Sequence, residues 1–102
     1  MGWSDRGRVG GAKMPAYGSI VAAGRNACIL HYRENDALLK DGDLVLIDAG
    51  CEIDCYASDI TRTFPANGRF SKEQRALHDL VGQAQAAALG GRRSAGPLRP
   101  PA

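Results

Sequence analysis

Hydrophobic residues along this chain fall into short blocks between polar turns, and one longer stretch with helical spacing follows them. We predict a strand for each of four blocks, over 19–23, 27–32, 44–47 and 58–64. The block 44–47 is continuous, and the sequence Asp41-Gly42-Asp43 before it is a strong turn signal. A continuous apolar block of this length is typical of a strand that is buried on both faces.

The stretch with helical spacing covers 72–89. Ser71 has the residue type of a helix N-cap, and Glu73 lies in the first turn, where negative charge favours the helix dipole. The pair Gly90-Gly91 is expected to end the helix. Strands with antiparallel connections and then a helix indicate an α+β fold, in which the helix covers an antiparallel sheet.

The two ends of the chain lack this periodicity. The first 13 residues contain glycines and mixed charge, and 90–102 combines glycine, proline and arginine. We therefore expect disordered tails over 1–13 and 90–102, and one small folded domain over 14–89.

The composition is that of an ordinary globular protein, with 44% hydrophobic and 24% charged residues. The net charge of +2 comes from the tails, where basic and aromatic residues do not interleave as they do in a nucleic-acid surface. No apolar run approaches the roughly 20 residues that a membrane helix needs, and the first residues do not resemble a secretory signal. These features predict a cytoplasmic protein that binds neither nucleic acid nor membrane.

The three cysteines are Cys28, Cys51 and Cys55. An odd number in a reducing compartment argues against a disulfide framework. The spacing of Cys51 and Cys55 is not a zinc signature without a second pair, so we expect small buried apolar residues.

The candidate chemistry lies in Asp48 and Asp59. If residues 53 and 54 form a two-residue hairpin turn within 52–55, the register places these aspartates opposite each other, with Cβ atoms about 4.5–5.5 Å apart. Paired carboxylates repel each other unless a proton or a cation lies between them. Carboxylates favour Mn²⁺, and Co²⁺, Fe²⁺ or Zn²⁺ when an imidazole joins them. The alternative is that Asp48 caps a strand and Asp59 pairs with Arg62 or a backbone amide.

The two histidines differ in their surroundings. His31 follows an apolar block, and on pattern alone it is more typical of a hydrogen-bonded core residue than of a ligand. His78 lies among polar residues of the predicted helix, which indicates a surface position. Tyr17 carries no signal of its own at this level.

Four motifs together resemble aminopeptidase P, the proline-specific metallopeptidase group with the pita-bread fold. They are A-Y-G-S-I-V at 16–21, N-A-C-I-L-H-Y at 26–32, D-G-D-L-V-L-I-D-A-G at 41–50 and S-D-I-T-R-T-F-P at 58–65. The resemblance covers roughly 15–89 and implies the first half of a pita-bread domain. Prolidase, which cleaves dipeptides that end in proline, is also similar over 56–61 and 64–68.

This resemblance implies that Asp48 and Asp59 are the first two metal ligands, with Asp59 bridging. It also implies that His31 is the active-site histidine, which lies near the substrate without being a primary ligand. The family uses two divalent metal ions, usually manganese, with Co²⁺, Zn²⁺ or Fe²⁺ as alternatives. The implied reaction releases the N-terminal residue of a peptide with proline in second position, and the full-length family can form homo-oligomers.

The chain also departs from the family pattern. A histidine and two glutamates, three of the five expected ligands, are drawn from a second half of the fold that has no counterpart here, and residues 1–13 do not resemble the family. We therefore expect an incomplete and inactive fragment. A prolidase-type dipeptidase and a non-catalytic truncated module are the alternatives.

Overall fold

The computed structural model of the chain describes residues 9–91. Most of the two predicted tails, namely residues 1–8 and 92–102, lies outside the described residues. The chain divides into two compact units, Met1–Phe70 and Ser71–Ala102, and each is described here by itself. The boundaries of the folded domain at 14 and 89 stay a prediction.

Over residues 9–70, the first unit contains six short strands in two antiparallel sheets. The strands are β1 (Met14–Pro15), β2 (Ile20–Ala23), β3 (Leu44–Ala49), β4 (Cys51–Ile53), β5 (Tyr56–Ala57) and β6 (Ile60–Pro65). One sheet has the order β1-β4-β5 and the other has the order β2-β3-β6. Together with the helix of the second unit, they confirm the α+β class and the antiparallel pairing.

The small core of the first unit is built around β3, which pairs with β2 on one side and with β6 on the other. Val45 and Ala49 of β3 are buried, and so are Ala22 and Ala23 of β2. The opposite face of β3, which includes Asp48, is half-buried. The prediction of a strand buried on both faces is therefore wrong for that face, and Asp48 lies within β3 instead of after it.

The predicted strand over 27–32 is wrong, because this segment contains the end of a 3₁₀ helix, Gly24–Cys28, and then a turn. Gly24 has a φ of +53°, which turns the chain away from the direction of β2. The Asp43 carboxylate lies so close that a Cβ on Gly24 would be 2.9 Å from its Oδ1 atom. Tyr32 is buried, but its hydroxyl is held by Asn26 Nδ2 and Asp36 Oδ1 at 3.2 and 3.4 Å. The apolar pattern here reflects this tethered aromatic ring and not a paired strand.

The hairpin between β4 and β5 turns at Asp54 and Cys55, one residue later than predicted. Both residues have positive φ, 50° and 70°, the combination found in type I′ hairpin turns. The pairing therefore moves by two positions, and Asp48 lies opposite Thr61. Because side chains alternate with a period of two, a shift of two residues leaves Asp59 on the face that was predicted for it.

The outer edge of β2 is covered by one side chain. Asn35, with a φ of 54°, directs its amide at the backbone of this strand. Val21 N–H donates to Asn35 Oδ1, and Asn35 Nδ2 donates to the Ser19 carbonyl, both at 2.8 Å. These bonds satisfy groups that would otherwise be open to a neighbouring chain, which is how an exposed sheet edge is protected.

The second unit contains the helix α1 (Lys72–Gly90). Ser71 is its N-cap as predicted: Gln74 N–H donates to Ser71 Oγ at 3.2 Å, and Ser71 N–H donates to Gln74 Oε1 at 2.9 Å. The pKa of Glu73 is lowered, first by its own backbone amide and then by the Ser71 hydroxyl. The helix ends at Gly90 with Gly91 as its C-cap, as predicted for the pair Gly90-Gly91, and it extends one residue beyond the predicted span of 72–89. That α1 covers the sheet stays a prediction.

The apolar side chains of α1 that are exposed in the structure include Leu77, Leu80, Val81 and Leu89. Despite these residues, α1 is not apolar enough to cross a membrane, and the same holds for every helix within residues 9–91.

Candidate metal centre

Two predicted metal ligands converge on one hydroxyl group. The Tyr17 hydroxyl lies 2.5 Å from Asp48 Oδ1 and 3.1 Å from Asp59 Oδ1. Asp48 is the second-to-last residue of β3, and Asp59 directly precedes β6. A tyrosine hydroxyl carries one proton, so the two carboxylates share a single donor. The predicted arrangement of directly opposed aspartates is wrong, but both side chains reach the same Tyr17 hydroxyl, as diagonal neighbours on one face.

Gly50 makes this convergence sterically feasible. A Cβ at this position would lie 1.7 Å from the Ser58 carbonyl oxygen and 3.0 Å from Tyr17 Cε1. Ala16 N–H donates to the Gly50 carbonyl at 3.0 Å, which anchors the segment that carries Tyr17. The glycine of the D-A-G motif is therefore required by the close approach of two backbone segments and a ring.

Ser58 fixes the chain on the other side of this contact. Its backbone N–H donates to the Cys51 carbonyl at 2.9 Å, and its hydroxyl accepts the Cys51 N–H at 2.9 Å. These two bonds hold the residue before Asp59 against the start of β4. The backbone that positions the second carboxylate is thus tied down at the adjacent residue.

Tyr17 is the residue of this site that sequence reasoning missed. Its pKa is raised above the ordinary value, first by partial burial and then by its hydrogen bonds to Asp48 and Asp59 and by their charges. The contacts join residues 31 and 42 positions apart, so no local spacing could reveal them. The one indication in the sequence was chemical: two carboxylates predicted to lie close together need a hydrogen-bond donor or a cation between them.

An open cavity of about 240 Å³ surrounds the two carboxylates. It is lined by Tyr17, Gly18, Ile20, His31, Arg33, Asp48 and Asp59. His31 has a φ of 55° and is exposed, so it is not a core residue. The structure brings His31 to the same cavity as the aspartates, and its catalytic role stays a prediction. His78 is on the exposed surface of α1, 3.6 Å from Asp79.

The structural alternative for Asp59 is not observed. Within residues 9–91, Arg62 makes no ion pair with it, and the Arg62 guanidinium donates instead to the Thr61 carbonyl at 2.8 Å. The cysteines do not compete for a metal either. Cys28 and Cys55 are exposed and Cys51 is half-buried, so the prediction of buried cysteines is wrong, because Cys55 occupies the exposed hairpin turn.

The donor atoms fit part of a coordination sphere for a hard cation. Two carboxylates on one face of a strand pair, joined by a hydroxyl, are the oxygen ligands that Mn²⁺ and Mg²⁺ favour. Among residues 9–91, however, no group of three or more His, Cys, Asp or Glu side chains is placed to hold an ion. A cation bound here would therefore need further ligands from water or from another polypeptide segment.

Replacement of Tyr17 by phenylalanine is expected to destabilise the first unit by about 1–2 kcal/mol at neutral pH, because both carboxylates lose their shared donor. The raised pKa of Tyr17 also makes the free energy of unfolding depend on pH in the alkaline range. Above pH 10.0 the unfolded tyrosine ionises while the folded one keeps its proton, so the parent loses stability as pH rises. The variant Tyr17→Phe has no hydroxyl to ionise, so its free energy of unfolding should fall less than that of the parent as the pH rises. Urea denaturation at neutral and alkaline pH measures both effects.

The control for this experiment is Tyr56→Phe, which removes a hydroxyl from a side chain that is exposed in β5. It should leave neutral stability and the alkaline slope unchanged. Equal alkaline slopes for the parent and Tyr17→Phe would contradict the proposed shared hydrogen bonds.

The sequence of this chain matches a family of known proteins. The sequence profile of metallopeptidase family M24 matches residues 3–96. The Xaa-Pro aminopeptidase of Haemophilus influenzae is 65% identical over 78 residues, which are 76% of this chain and 18% of that protein. The chain thus spans less than one fifth of the length of this relative.

Two solved structures are similar in fold as well as in sequence. Pseudomonas aeruginosa aminopeptidase PepP superposes with a TM-score of 0.77 and 80% identity, over 83% of this chain and 19% of that one. Zinc-substituted Escherichia coli aminopeptidase P in complex with product gives a TM-score of 0.81 and 50% identity, over 87% of this chain and 20% of that one. The segment therefore has the fold of one part of these larger proteins.

Proposed function

Because the chain belongs to metallopeptidase family M24, we propose that it supplies two aspartate ligands and a histidine to the active site of an Xaa-Pro aminopeptidase. The observation that carries this proposal is the convergence of Asp48 and Asp59 on Tyr17 in a cavity that His31 also lines. The complete reaction is the release of the N-terminal residue from a peptide with proline in second position. The names of the relatives support this substrate class.

The metal content is part of the same proposal. We propose two divalent ions, with manganese as the first choice. One solved neighbour is a zinc-substituted aminopeptidase P, which supports the choice of a divalent metal. Bound metal ions in such sites lower the pKa of a water molecule and polarise the carbonyl that it attacks. A cytoplasmic location and homo-oligomer formation by a complete enzyme remain predictions from the sequence.

The residues of this chain have separate tasks in the proposed reaction. Asp48 and Asp59 would hold the cations through their carboxylate oxygens. Tyr17 keeps both carboxylates turned toward the cavity through its hydroxyl. The His31 imidazole would donate a hydrogen bond to a peptide carbonyl or transfer a proton to the departing amine.

The test is a graft that supplies the remaining ligands. Residues 15–89 replace the matching segment of the Haemophilus influenzae enzyme, and hydrolysis of an Xaa-Pro tripeptide is measured with Mn²⁺. We expect turnover by the graft, and a loss of at least about a hundred-fold in kcat/KM for the graft with Asp59→Asn, because a metal ligand is removed. The 102-residue chain alone should show little or no turnover.

The matched control is the graft with Asp54→Asn, which removes the same charge from the exposed β4–β5 turn and should keep the parent rate. An inactive but folded graft would refute the proposed function. Robust turnover by the 102-residue chain would refute the claim that two carboxylates are insufficient.

A further inference from the structure

The cavity around the two aspartates is also lined by an arginine, Arg33, whose presence there is not explained by metal binding. Arg33 lines this cavity together with His31, two residues earlier in the same loop. The ion pairs between described residues are Arg75 with Asp79 and His78 with Asp79, so within 9–91 the Arg33 guanidinium has no acidic partner. The adjacent acid, Glu34, accepts the Arg33 backbone N–H at 3.3 Å.

The charges of the lining residues decide what Arg33 can bind. Asp48 and Asp59 are the acids of the cavity lining. When cations occupy the proposed site, these two negative charges are engaged with metal, whereas a guanidinium is a cation that has only hydrogen-bond donors. An anion is then the natural counterion for Arg33, and a carboxylate matches the two parallel donors of a guanidinium.

We propose that Arg33 is a specificity-determining residue that binds a carboxylate of the peptide substrate. The inference rests on the proposed function, because it takes the ligand of the cavity to be a peptide. A peptide with proline in second position can present a carboxylate in two ways. It can be the C-terminal carboxylate that follows proline in a dipeptide, or an acidic side chain of a later residue in a longer peptide.

The experiment is a set of NMR titrations of the ¹⁵N-labelled 102-residue chain in the presence of Zn²⁺, which does not broaden the resonances as Mn²⁺ does. The three probes are alanyl-proline, alanyl-prolinamide, and alanyl-prolyl-glutamate with an amidated C-terminus. We expect at least one carboxylate probe to bind roughly three- to five-fold more tightly than alanyl-prolinamide, the range of an exposed ion pair. The chemical shift of the Arg33 Nε–H resonance should change when this probe binds.

Variants identify the group responsible. Arg33→Gln should abolish the preference for the carboxylate, and Arg33→Lys should keep part of it, because lysine retains the charge without the two parallel donors. Arg62→Gln, which removes an exposed arginine of β6, is the matched control and should keep the full preference. A preference that survives in Arg33→Gln would overturn the inference.

The outcomes separate this inference from the proposed function. If the graft of residues 15–89 described above is folded but inactive, the proposed function fails, and the inference fails with it. If Zn²⁺ binds but acid and amide probes bind equally, only the inference about Arg33 is overturned. Tighter binding of alanyl-proline than of the glutamate probe assigns the C-terminal carboxylate as the ligand, and the reverse order assigns the side chain.

Discussion

Mn²⁺ binding by the chain should fall below detection when Asp48 and Asp59 are both replaced by asparagine. Their carboxylates are the protein oxygens that meet at the Tyr17 hydroxyl, and in residues 9–91 no larger cluster of ligand side chains offers the ion another place. Each lost ligand should weaken binding by at least about ten-fold, since even the outer partners of metal ligands contribute that much. Asparagine keeps the acceptor for Tyr17, so the local hydrogen bonds can persist. Isothermal titration of parent and variant gives the comparison.

The control for this titration removes two carboxylates elsewhere. Asp54→Asn/Asp79→Asn has the same change in net charge, but its aspartates lie in the β4–β5 turn and on α1. It should bind Mn²⁺ as the parent does. A folded parent that binds no Mn²⁺ would show that the two aspartates do not form a half-site by themselves. Equal binding by the parent and the Asp48/Asp59 variant would place the ion at a different location.

Gly50→Ala is expected to unfold most of the first unit. The added Cβ would lie 1.7 Å from the Ser58 carbonyl oxygen, a backbone atom that cannot move without separating the strands on either side. Relief of this overlap should cost more than about 3 kcal/mol, which is a large part of the stability of a small domain. Circular dichroism during urea denaturation should show a loss of the cooperative transition or a much lower midpoint.

Gly18→Ala is the matched control for this substitution. A Cβ at Gly18 meets no atom within 4 Å, and its φ is not in the left-handed region. The control should therefore have a midpoint close to that of the parent. A parent-like transition for Gly50→Ala would mean that the β3–β4 connection is looser than the structure indicates.

The parts of the fold that could be predicted are those set by local chemistry. Ser71 and the apolar spacing after it predicted the start of α1, and the apolar blocks around Val21, Val45 and Thr63 predicted β2, β3 and β6. The prediction of a strand over 27–32 was wrong, because Tyr32 is held by polar partners: its hydroxyl accepts a hydrogen bond from Asn26 Nδ2 and donates one to Asp36 Oδ1. A periodicity rule cannot distinguish a ring that is held by polar partners from a residue of a strand.

The sequence predicted the two aspartates of the candidate site, but not their register or the tyrosine between them. The predicted hairpin turn at residues 53 and 54 lies one residue before the observed turn at Asp54 and Cys55, so every pairing differs from the predicted one by two positions. Because side chains alternate with a period of two, this shift keeps Asp59 on the predicted face, and both aspartates still reach the Tyr17 hydroxyl. Tyr17 could not be predicted, because its contacts depend on the tertiary path of the chain. The motif resemblance indicated the family that the comparisons confirm, whereas the roles of Asp48, Asp59 and His31 stay predictions.

Because the edge of β2 is protected by the Asn35 amide, this edge is sensitive to deamidation. One primary amide supplies both the acceptor for Val21 N–H and the donor for the Ser19 carbonyl. Deamidation would replace the Nδ2 donor by a carboxylate oxygen, which cannot donate and would repel the Ser19 carbonyl. A single hydrolysed side chain would thus convert a closed strand edge into one that is open to pairing with another chain.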